Sequence, residues 1–95
     1  PLAVPVTVVN GAATTITTQP STGLVTDALA RAATELDGTV SYTSRGSSIY
    51  LQTYLNQPNS ATGTWTVQLN GRPVVDLSQP ILRQGDAITM TYQPQ

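Results

Sequence analysis

Residues 25–36, VTDALARAATEL, decide the fold class. At 100° per residue, Val25, Ala28, Leu29, Ala32, Ala33 and Leu36 fall within an arc of about 140°, which predicts an amphipathic helix with one apolar stripe. Thr26 is the expected N-cap, and Asp27 suits the positive end of the helix dipole. Asp27 and Arg31 stand i, i+4 on the opposite face in the favourable order. Asp37-Gly38 is the expected stop. A stripe built so largely from alanine implies close approach to a sheet.

On both sides of this helix the apolar period falls to two. Upstream, Val4–Val9 reads as a strand, and Pro5 confines it to an edge or a strand start. Asn10-Gly11 is a hairpin turn, and Ala13–Gln19 is the returning strand. Downstream, Thr39–Thr43 is a strand, Ser44–Ser47 a turn and Ser48–Leu55 a strand. Asn56–Thr64 is polar and reads as a loop. Trp65–Leu69 alternates cleanly, with Trp65, Val67 and Leu69 on one face. Asn70-Gly71 is a second turn, Pro73–Leu77 a short strand, Gln84–Asp86 a turn, and Ala87–Tyr92 the closing strand. The order of a hairpin, one helix and then several strands gives an α+β class. The expected architecture is β-grasp-like, one helix packed on a mixed β-sheet with an N-terminal hairpin, in a single domain over 1–95.

Composition narrows function. The chain has 95 residues, no Cys and no His, and its four basic residues are Arg31, Arg45, Arg72 and Arg83. Disulfides and thiolate metal sites are therefore absent, as are the commonest general base and metal ligand. Without Lys there is no Schiff-base chemistry. Four scattered Arg residues at a net charge of -1 do not make a nucleic-acid face. No apolar run reaches membrane-spanning length. The acids Asp27, Glu35, Asp37, Asp76 and Asp86 are dispersed, without calcium-loop spacing. A nucleophilic Ser or Thr would lack a marked base. The expectation is a non-enzymatic chain without cofactor or metal.

Roughly one residue in six is Thr, and charges are few, a β-favouring composition common in extracellular and cell-surface proteins. The chain begins at Pro1 with no initiator Met or signal peptide, and reads as a processed chain or a piece of a longer one.

Three segments carry a family resemblance: Val25–Leu29, the run Trp65–Gly71 and the end Leu82–Tyr92. In order and spacing, over about Val6 to Tyr92, they resemble the transcobalamin C-terminal-like domains of bacterial surface proteins. That resemblance implies a β-grasp-like fold. In the transcobalamin-like proteins the ligand lies between this domain and a large helical one, which this chain does not contain. The Asn-Gly and Gly-Asp elements also resemble ubiquitin-like sulfur carriers, whose activation needs a C-terminal Gly-Gly. Tyr92-Gln93-Pro94-Gln95 has none.

Two functional readings follow. The first is a structural subunit of a surface assembly or filament that associates with copies of itself or with sister domains. Residues 1–9 would be an intersubunit-pairing strand, and Val4, Val6, Val8, Tyr42, Tyr50 and Tyr54 the candidate interface. The second is a glycan- or small-molecule-binding module of a larger secreted or cell-surface protein, using an exposed face of Tyr42, Tyr50 and Tyr54. Trp65, at a strand start, reads as core.

Overall fold

The computed structural model describes residues 2–94. It is a small α+β domain, mostly sheet, with one helix. β1 (Val4–Asn10) and β2 (Ala12–Thr18) form the N-terminal hairpin. The helix α1 spans Val25–Glu35. After it come β3 (Val40–Arg45), β4 (Ser48–Tyr54), β5 (Gln57–Pro58), β6 (Gly63–Leu69), β7 (Arg72–Val74) and β8 (Ile88–Pro94).

The strands make two sheets rather than the single mixed sheet expected. The larger has the order β2-β1-β8-β6-β7, and β3-β4-β5 form a separate sheet. β8 lies parallel to β1 and antiparallel to β6, so the last strand fills the centre. The smaller sheet gains a third strand because Asn56–Thr64 is not all loop. Leu55 and Asn56, at φ 50° and 66°, make a two-residue turn that returns Gln57 and Pro58 against Thr53 and Tyr54. Positive φ at both central residues suits a hairpin turn, although Leu is a strained choice there. The strand expected over Pro73–Leu77 is instead Arg72–Val74, one residue earlier at its start and three shorter at its end.

Both faces of each strand can be read from burial. Val4, Val6 and Val8 of β1, Trp65 and Val67 of β6, and Ile88 and Met90 of β8 point into one core. Val25, Ala28, Leu29, Ala32 and Ala33 of α1 close it from above. The helix start differs from expectation. Leu24, not Thr26, occupies the cap position and makes no side-chain cap bond, while Asp27 sits in the first turn and binds back to the loop before the helix. Its Oδ2 accepts from the Thr22 N–H and Oγ1, both at 3.0 Å, and its Oδ1 accepts from Arg31 Nε at 2.8 Å. The carboxylate thus holds the approach loop to the helix.

At the other end Asp37, at φ 55°, takes the left-handed position, and the N–H of Gly38 bonds to the Ala33 carbonyl at 2.9 Å. Gly38 serves close approach: a Cβ there would lie 2.8 Å from Leu55 Cα. The two turn motifs read separately in sequence hold each other. Asn70 Nδ2 donates to Asp86 Oδ1 at 2.8 Å, and Asn70 Oδ1 accepts from the Ala87 N–H at 2.9 Å.

Candidate functional site

The three-stranded sheet places its residues by one irregularity. Pairing between β3 and β4 slips after Ser41, so Gln52 is an extra, exposed residue in β4. A bulge of this kind re-aims every side chain beyond it. Tyr54, Leu51 and Ile49 therefore all face the core despite unequal spacing, and Tyr50 faces outward.

The three tyrosines are thus not one patch. Tyr54 is fully buried, and its hydroxyl donates to the Leu29 carbonyl at 2.9 Å. Burial, with the Tyr42 hydroxyl adding to it, pushes the Tyr54 phenol far up. Tyr42 is half-buried and donates to the Thr26 carbonyl at 3.3 Å; burial raises its phenol to about 12. Both tie the three-stranded sheet to the helix. Only Tyr50 borders an open hollow.

The strand expectation is corrected as well. Val4, Val6 and Val8 are core residues, and β1 is hydrogen-bonded on both sides, by β2 and by β8. A strand flanked on both edges within its own chain has no ladder to offer a neighbour. Pro1, the first residue of the expected pairing segment, lies outside the described residues.

Where the two sheets face each other at β4 and β6 a crevice of about 280 Å³ opens. Trp65 forms its floor, and Tyr50, Leu51, Val67, Val74 and Leu77 line its walls. Trp65 is 8% exposed, so the reading of it as core holds, with one edge at the crevice. Its Nε1 donates to the Gln57 carbonyl at 2.8 Å. The rings of Tyr54 and Tyr92 meet it edge-on at 5.5 and 5.4 Å. Gln57 Nε2 in turn donates to the Tyr92 hydroxyl at 3.2 Å.

Asn59 spans the junction. Its Oδ1 accepts from the Trp65 N–H at 2.7 Å, and its Nδ2 donates to the Leu51 carbonyl at 2.9 Å. One side chain therefore bonds the backbones of both sheets. Nothing in the sequence marked it, since Asn within NQPNSATGT reads as loop chemistry.

The rim is held by Asp76. Its Oδ1 accepts from the Ile49 N–H at 3.0 Å, the Ser78 N–H at 3.0 Å and the Ser78 Oγ at 2.6 Å. The Ser78 hydroxyl first, then these backbone donors, hold its carboxyl far below the usual range. Leu77 N–H adds a bond to the Ile49 carbonyl at 2.8 Å. The segment after β7 is thereby fixed to the start of β4. It presents Val75, 74% exposed, beside Pro73 and Pro80, where a second hollow of about 360 Å³ adjoins the crevice.

The arrangement offers an apolar slot with an aromatic floor and a rigid rim. Among the described residues no three carboxylates gather in a group that could hold a metal ion. Among the described residues no helix is long and apolar enough to cross a membrane.

No protein-family profile and no curated protein matches the sequence. Solved structures do match. A suspected metal-binding protein from Ruminococcus gnavus ATCC 29149 superposes with a TM-score of 0.76 at 17% identity, covering 100% of this chain and 99% of that one. Haptocorrin, solved in complex with Cbi, superposes with a TM-score of 0.77 at 13% identity, covering 98% of this chain. The likeness is one of fold. The chain corresponds to 25% of haptocorrin's length. The resemblance read from Val25–Leu29, Trp65–Gly71 and Leu82–Tyr92 is thereby supported at the level of architecture.

Proposed function

We propose that this domain is a non-catalytic ligand-binding module of a larger secreted or cell-surface protein, and that its site is the inter-sheet crevice over Trp65. The supporting observation is the overlap of nearly the whole chain with part of haptocorrin, a protein solved with a bound small molecule, in a chain that itself carries an apolar slot. The ligand class is a small organic molecule or glycan with an apolar face, stacked between Tyr50 and Val74 above Trp65. The carboxylate nearest this slot, Asp76, already spends one oxygen on three donors. The order β2-β1-β8-β6-β7, with first and last strands parallel, is the β-grasp arrangement in this reading, and β3-β4-β5 is its insertion. The self-assembling subunit is the weaker reading, because its pairing strand is central and its tyrosines are dispersed.

Trp65 is the only tryptophan, so its emission reports the site directly. A screen of saccharides and apolar small molecules should yield ligands that change Trp65 emission saturably. Val74→Asp, at the wall, should abolish that change while the far-UV spectrum is retained. Hits that keep full affinity for Val74→Asp would place the site elsewhere and sink the proposal.

A further inference from the structure

β2 is the edge of the five-stranded sheet, and its own sequence does not blunt it. Its sequence, AATTITT, holds no charge and no proline, the usual devices that blunt an edge. Among the described residues its backbone pairs only with β1. A groove of about 550 Å³ runs beside it, bordered by Thr17, Thr18 and Gln19 and by one face of α1, including Ala30, Arg31 and Glu35. Thr17 and Thr18 are consecutive strand residues, so their side chains leave opposite faces of the sheet. That both border one groove puts the groove at the strand's edge. The helix overhangs that edge and supplies a wall.

We propose that this edge and groove receive an extended segment of a partner polypeptide, added antiparallel or parallel to β2, that carries a basic residue opposite Glu35. Backbone groups of β2 would supply the ladder, and the groove, which meets the strand at Thr17–Gln19, would take the side chains added there. The charge argument selects the occupant. Asp27 and Arg31 neutralise each other across 2.8 Å, whereas Glu35 has no ion-pair partner among the described residues. The groove wall therefore keeps one uncompensated negative charge. A second copy of this chain, offering its own β2, brings no cation on the strand, and the Arg31 beside it is already engaged by Asp27. A neutral β-forming segment with one Lys or Arg does.

The test uses the labelled full chain and two blocked peptides of alternating valine and threonine, one with a central lysine and one with glutamate in its place. Amide shifts should concentrate on Ala12–Gln19 and on the 27–35 face of the helix. The lysine peptide should bind about threefold more tightly, the scale of an exposed ion pair. Glu35→Gln should erase that preference and Glu35→Lys should reverse it; Glu35 is exposed, so neither change disturbs the core. Peptides that shift no β2 amide, or a preference that persists in Glu35→Gln, would overturn the proposal. So would light scattering that shows a dimer formed through β2, since the occupant would then be a second copy.

Discussion

Replacing Asn59 probes the junction on which the crevice depends. Asn59→Ala removes two hydrogen bonds at once, at 2.7 and 2.9 Å, and leaves the Trp65 N–H and the Leu51 carbonyl without partners. Each bond is worth about 0.5–1.5 kcal/mol net, and a stranded buried group costs about 1–3 kcal/mol. Asn59 is half-buried, so water recovers part of that cost. The expected loss is about 2–3 kcal/mol, a large part of the roughly 5–14 kcal/mol available to a chain of this length. Asn59→Asp separates the two bonds. The aspartate still accepts from Trp65, but as an anion it faces the Leu51 carbonyl and cannot donate. The contact with the Leu51 carbonyl favours the protonated form, so the variant should recover stability as pH falls toward 4 and the carboxyl gains a donor proton. Urea unfolding followed by Trp65 emission measures both, with the m-value held fixed as the check that the folded state is unchanged. A loss under 0.5 kcal/mol for Asn59→Ala would refute the idea that this side chain joins the sheets. So would an Asn59→Asp variant whose stability has the same pH dependence as the parent.

Gly38→Ala should cost about 1–3 kcal/mol, because its Cβ would meet Leu55 backbone at 2.8 Å and neither turn can yield; thermal unfolding checks it. Asp27, held at about 2 chiefly by Arg31, contributes stability that is complete above its unfolded value near 3.8 and is lost as pH falls from about 4 through 2. Screening at this partly exposed pair reduces the contribution to about 1 kcal/mol, and Asp27→Asn should flatten that part of the stability–pH curve. Asp76→Ala should raise amide exchange at Ile49 and Ser78 and weaken ligand binding without touching the floor of the crevice.

The helix, both Asn-Gly turns and the strands led by Val4, Trp65 and Ile88 were legible because each carries its own periodicity or turn chemistry. Burial of Trp65, Val67, Ile88 and Met90 follows directly from alternation. The inserted sheet was not legible as a sheet. Its third strand is two residues long and contains Pro58, which reads as a breaker unless its pairing partner is known. The tyrosines misled for a related reason. Strict alternation in β4 groups Tyr50 with Tyr54 on one face, and the extra residue at Gln52 separates them. Nor does sequence show which strand is central. Val4–Val9 has the composition of an edge-pairing strand, yet β8, arriving from the far end of the chain, covers it and leaves the threonine-rich β2 at the rim. The crevice itself arises between segments far apart in the chain, Tyr50–Leu51, Trp65–Val67 and Val74–Leu77, so no local motif announces it.

The most direct test of the binding account is an amide chemical-shift map of the labelled domain with a ligand from the Trp65 screen. Shifts confined to Tyr50–Leu51, Trp65–Val67 and Val74–Leu77, lost in Val74→Asp, are the expected result. Shifts centred on any other surface, with these residues unmoved, would contradict it.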